Sequence, residues 1–216
     1  MRDTIYTIPL TDVFSPQDGC PICRLYAMLE KRCVEYIMGA AMMEPDIRIE
    51  TNRYGFCPNH LELLLQQKNR LSLALMLETH LDELMEKQMP PSVKKGAEPV
   101  SKSCFVCREI GGAAEKLIDT ALKLYFSDAS FRTLFLEQDY CWKHYEALCL
   151  QAGSSLNRKQ AAQLAAALTE GQKARISALR EDVHSFTTSF DYRNAGTANR
   201  DEQIKTAVER AVGFLK

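Results

Sequence analysis

Apolar positions in this chain recur at helical spacing, and no segment shows the alternation of a half-buried strand bounded by turn signals. Leu164, Leu168, Ile176, Leu179, Val183 and Phe186 repeat at that spacing within a segment over 158–190. Residues 24–43 are rich in Leu, Met, Ala, Glu and Lys, all good helix formers. Asp18 is placed to cap that helix and Pro21 to enter its first turn. The chain then breaks near Glu44-Pro45-Asp46. Another helix is expected to start around Cys57 and to carry Leu61, Leu64 and Leu65. A third covers 71–89, where the Leu and Met stripe at 71–85 reads as core. Residues 200–215 read as a short amphipathic helix with Asp201 and Glu202 in its first turn. The pattern predicts an all-α fold.

The same unit occurs twice. Cys20-Pro21-Ile22-Cys23 is followed, after 33 intervening residues, by Cys57-Pro58-Asn59-His60. Cys104-Phe105-Val106-Cys107 is followed at the same distance by Cys141-Trp142-Lys143-His144. A shift of 84 positions superimposes the two sets and also carries Arg24 onto Arg108, Phe56 onto Tyr140, Glu62 onto Glu146 and Leu64 onto Leu148. An ungapped register of this length points to two tandem helical repeats. The expected organisation is a first repeat at 1–89, a linker at 90–103 rich in Pro, Gly and charge, a second repeat at 104–190, and a tail at 191–216 with the short helix. The two repeats are free to pack as one body. The shift also sets Asn69 opposite Gly153, predicting that the helix from Cys57 ends near Asn69 and its counterpart at Gly153, each in a left-handed C′ position.

Composition narrows the function classes. Apolar residues make up 46% of the 216, enough for a core without disulfides. Formal net charge is −1. Residues 1–89 carry nine basic and 13 acidic side chains, and residues 90–216 carry 18 and 15. Neither part is the strongly basic surface that binding a phosphate backbone requires, which makes nucleic acid an unfavoured partner. Residues 1–19 lack the apolar stretch of a secretory signal, and nothing is long and apolar enough for a membrane span. The expected location is the cytoplasm, where thiols stay reduced, so eight cysteines point to metal or redox chemistry.

Two cysteines separated by two residues can face one ion from a helix start, where unpaired N–H groups favour thiolate charge. A C-x2-H pair does the same from a second helix start. The expectation is therefore two Cys3His zinc sites, each joining two helix N-termini, with Cys20, Cys23, Cys57, His60, Cys104, Cys107, Cys141 and His144 as ligands. A helix of about 20 residues spans roughly 30 Å. About 12 extended residues can cover roughly 40 Å in return. The spacer thus allows Cys57 to come back beside Cys20, but closure within a repeat and exchange between repeats both satisfy the spacing. Three thiolates, a neutral imidazole and a divalent cation leave a net charge of −1, which Arg24 and Arg108 could offset by hydrogen bonds to sulfur. Cys33, Cys149, His80 and His184 fall outside the repeated register and read as packing or surface residues. Trp142 reads equally as a wall over the metal or a surface aromatic.

The set CPIC, GFCPNH, CFVC and CWKH, with Phe190-Asp191-Tyr192-Arg193-Asn194 beyond it, resembles a family of uncharacterised bacterial proteins, common in Firmicutes and known as a domain of unknown function. The resemblance implies a bacterial cytosolic protein with Cys/His clusters at these positions, and it supplies no activity. No nucleophile motif, phosphate loop or HExxH is present, so the expected role is non-catalytic. It is that of a zinc protein with two ions, acting as an interaction scaffold for unidentified protein partners. The alternatives are an iron–sulfur or thiol redox protein, acting as electron carrier or sensor, and a nucleic-acid-binding regulator. An enzyme with an open zinc position is a lesser possibility.

Overall fold

The computed structural model describes residues 8–16, 18–39, 43–87, 89, 103–190 and 201–216. Among them the chain forms helices α1 (Ile8–Phe14), α2 (Pro21–Met38), α3 (Pro45–Tyr54), α4 (Pro58–Gln66), α5 (Arg70–Lys87), α6 (Phe105–Ser127), α7 (Ala129–Leu136), α8 (Trp142–Ser155), α9 (Arg158–Thr188), α10 (Glu202–Lys205) and α11 (Ala207–Leu215), with no strand. None of these helices is long and apolar enough to cross a membrane. The linker read at 90–103, except for Ser103, and the segment after Phe190 through residue 200 lie outside the described residues.

The chain divides into two compact units: Met1–Arg24 with Leu117–Lys216, and Leu25–Lys116. The division falls inside α2 and α6.

The core of the first unit is aromatic. Phe14, fully buried on α1, stacks on Phe135 of α7 at 5.4 Å and tilts against Phe131 at 5.2 Å. Tyr125 and Tyr140 each meet Phe135 at 5.5 Å. Tyr140 is buried, and its hydroxyl donates to the Phe135 carbonyl at 2.7 Å, so the polar tip costs little. Gln172 of α9 donates to the Tyr140 carbonyl, fixing the backbone just before Cys141. Helix α9 packs on α8 and α11, burying Leu164 and Leu168.

The second unit is aliphatic. Val34, Ile37, Leu64, Leu73, Met76, Phe105 and Val106 form its core. Helices α3 and α5 are joined by polar bonds as well: Arg48 donates to the Leu75 carbonyl and to Thr79, and Thr79 donates to Asn52.

Three expectations are corrected. The return from α2 is a helix, α3, and not an extended segment. Helix α8 runs through Gly153 to Ser155, and among the described residues only Gly19 and Gly55 have positive φ. Asn69 therefore has no left-handed C′ role. Its side chain accepts from the Ser72 N–H at 3.1 Å, as an N-cap of α5, and donates to the Met38 carbonyl. Asn157 caps α9 through the Gln160 N–H at 2.9 Å. The two cap positions are 88 residues apart, four more than the 84-residue shift, so α8 runs about one helical turn longer than α4.

Candidate metal centres

All four motifs take the same local form. The first cysteine of each pair stands just before a helix, and its carbonyl accepts the first intrahelical bond: Arg24 N–H to Cys20, Leu61 to Cys57, Arg108 to Cys104 and Tyr145 to Cys141. The second donor sits three residues on, in the first turn. Pro58 serves where no N–H partner is needed, at the first position of α4. Each pair thus aims two side chains along the N-terminal end of a helix, where the backbone carries partial positive charge.

These helix starts meet in twos. Cys20, Cys23, Cys141 and His144 form one group, the first centre, within the first unit; Cys57, His60, Cys104 and Cys107 form the second centre, within the second unit. In each, the four donor atoms lie within 4.8 Å of one another. The pairing left open by the spacing is settled in favour of exchange: Cys20 and Cys23 meet Cys141 and His144, and Cys104 and Cys107 meet Cys57 and His60. Cys57 does not return to Cys20, because α3 leads it to Ser103 and Phe105. Ser103 donates to the Tyr54 carbonyl at 2.7 Å, and the Phe105 N–H donates to the Gly55 carbonyl at 2.9 Å.

Both histidines present Nδ1 to the sulfurs. In the first centre Nδ1 of His144 is 3.1 Å from Cys141, 3.3 Å from Cys23 and 3.5 Å from Cys20. In the second, Nδ1 of His60 is 3.1, 3.2 and 3.4 Å from Cys57, Cys104 and Cys107. The Cys23–Cys141 and Cys57–Cys107 sulfurs are each 3.9 Å apart. Nε2 of His60 lies 3.0 Å from a carboxylate oxygen of Glu30. A proton held on Nε2 by that carboxylate leaves the Nδ1 lone pair facing the sulfurs.

Bringing sulfurs this close perturbs Cys23, Cys107 and Cys20 strongly. Burial and then the neighbouring Cys20 and Cys141 sulfurs push the Cys23 thiol up to about 12. Burial, Cys104 and Cys57 do the same to Cys107, also to about 12. Burial also raises the Cys20 thiol, but hydrogen bonds from His144 and from the backbone of Cys141 and Cys23 outweigh it and bring it down to about 6. Three thiolates cannot share such a space on their own. A cation at the centre removes the repulsion, and the donor set fits one: four N/S donors carried in pairs on two helix starts, with no disulfide among the cysteines.

Arg24 and Arg108 do not bond to sulfur. Arg24 donates to the carbonyls of Val13, Pro16, Asp18 and Gly19 and to Gln138, whose own amide donates to Phe14. It shapes the turn leading into Cys20, with Asp18 as its ion partner rather than a helix cap. Arg108 pairs with Glu50 at 2.9 Å and lies over the Tyr54 ring at 4.1 Å. The residue that does touch a ligand, Glu30, has only the signal of an acid on a helix, which usually means a solvated face.

Cys33, Cys149, His80 and His184 lie outside both groups. Cys33 packs against the second core. Nδ1 of His80 bonds the Asn52 carbonyl at 2.7 Å. Trp142 is 38% exposed and tilts against Tyr145 at 5.6 Å.

Fold and sites together define an all-helical protein with two Cys3His groups able to hold metal ions. The chain belongs to the family described as a family of unknown function (DUF6062), which matches residues 1–216. No curated protein and no solved structure matches it.

Proposed function

We propose that this chain is a non-catalytic zinc protein whose two Cys3His centres each staple two helix starts, and whose helical surface serves as an interaction scaffold. The donor spacing carries the reading. A tetrahedral zinc with its usual bond lengths sets sulfurs about 3.8 Å apart and sulfur and nitrogen about 3.6 Å apart. The sulfur pairs at 3.9 Å and the Nδ1–sulfur distances of 3.1 to 3.5 Å support one small ion per centre. An iron–sulfur cluster distributes its ligands over several irons and needs them further apart. Four protein donors also close the coordination sphere, leaving no position for a reacting water. Exposed Leu71, Leu81 and Met85 on α5 support a protein-facing surface.

Elemental analysis with X-ray absorption on the purified chain tests this. The expected result is two zinc ions per chain with three sulfur neighbours each at about 2.3 Å. Iron with acid-labile sulfide, or no metal, defeats the proposal.

A further inference from the structure

The first centre opens onto a cleft. A cavity of about 410 Å³ is lined by Cys20, Cys23 and Cys141 on one part of its wall and by Arg175, Arg210 and Phe214 from α9 and α11 on another. This is within the range of small-molecule sites. Cys23 is exposed, whereas Cys20, Cys141 and His144 are buried. Arg175 pairs at 3.1 Å with Asp139, which also lines the cleft, and donates to the Tyr140 carbonyl at 3.2 Å; Arg210 pairs with Asp182 at 2.7 Å and donates to the Gln203 carbonyl at 2.6 Å, each arginine making both contacts through one terminal nitrogen. A guanidinium has five donors.

We infer that this cleft admits a small anionic disulfide to Cys23 and makes the first centre a thiol switch. The inference rests on the zinc reading above. Metal binding keeps Cys23 as a thiolate at neutral pH, and the thiolate is the attacking species in exchange. Its sulfur attacks one sulfur of the disulfide; a new S–S bond forms to Cys23 as the old one breaks, and a thiolate leaves. The charge that develops on the departing sulfur falls in a cleft bearing two guanidiniums and one carboxylate, that of Asp139. Cys141, its sulfur 3.9 Å away, then attacks the Cys23 sulfur of the mixed disulfide and expels the second thiolate. Two protein thiolates give up two electrons, the small disulfide is reduced to two thiols with protons from water, and the cation loses two of its four donors and is released.

The probe is 3,3′-dithiodipropionate added to the zinc-loaded full chain, with metal release followed by a chromophoric chelator and cysteines mapped by mass spectrometry. One of two zinc equivalents should leave first, in step with a mixed disulfide on Cys23 and then a Cys23–Cys141 bridge. Gly213 also lines the cleft, and a Cβ there meets nothing within 4 Å, so Gly213→Leu fills the space without a clash at Cβ. That variant, checked for unchanged helicity, should slow the first release by about tenfold, equal to about 1.4 kcal/mol of barrier. The unmodified chain suffices if the variant misfolds, because the order of modification is read on it directly. Release of both equivalents at one rate, or first modification at Cys107, overturns the inference and leaves the zinc assignment standing. A chain that purifies without zinc overturns both.

Discussion

At the scale of single residues, the ligands follow from spacing but their supports do not. Glu30 stands 30 positions before His60 and meets it only through the fold. Glu30→Gln keeps the size and removes the charge, and a partner of this kind typically accounts for about 10–100-fold in metal affinity. The expected outcome is weaker binding at one centre of two in a chelator competition, with helicity unchanged. Gly55 is the other support. Its φ is +56°, its N–H ends α3 on the Thr51 carbonyl, and a Cβ there would lie 2.7 Å from Nε2 of His80. Gly55→Ala should cost about 1–3 kcal/mol from backbone strain alone. Denaturant unfolding of the loaded protein would read it, and an unchanged midpoint would contradict the account. Arg24 and Arg108 directly follow a ligand, yet their side chains bond elsewhere. On a helix the next residue turns by about 100°, which carries its side chain off the face that the ligands share.

At the scale of elements, long periodic helices were legible and short connecting ones were not. The 158–190 periodicity matches α9 (Arg158–Thr188), and the 71–89 reading matches α5 (Arg70–Lys87). Helices α3 and α7, of ten and eight residues, are too short to establish a period and are held by tertiary contacts and caps. Asp128 is the clearest such cap, accepting from the N–H groups of Ser130 at 2.8 Å and Phe131 at 3.0 Å. Asp128→Ala should destabilise the protein by about 1 kcal/mol, measured by thermal or denaturant unfolding. Because α7 carries Phe131 and Phe135, the loss should also appear in the near-ultraviolet signal of the aromatic core. Gly153 misled for a different reason: glycine favours a C′ position but does not compel one, and the Asn157 cap four residues on sets where the next helix begins.

At the scale of the whole molecule, all-α class and two four-donor sets could be read from the chain, but the pairing could not, since equal spacers serve either arrangement. Each centre holds helix starts that are also anchored by apolar burial, with Leu64 and Val106 near the second and Ile22 and Leu148 near the first. Chelation should therefore loosen the four helix starts while α5 and α9 persist on their own buried faces. Circular dichroism should show most of the helical signal retained, and complete unfolding would count against this picture. The reciprocal exchange of ligands also bears on how such a chain can arise. In the arrangement found here a C-x2-C and the C-x2-H that follows it after 33 intervening residues belong to different centres, so a polypeptide with one of each and folded in the same way would leave both centres half-filled. Two identical polypeptides, each offering its cysteine pair to the other's Cys-His pair, complete two at once as an isologous dimer. Joining such a dimer end to end in one gene yields the ligand order found here, and it turns a concentration-dependent assembly into an intramolecular one.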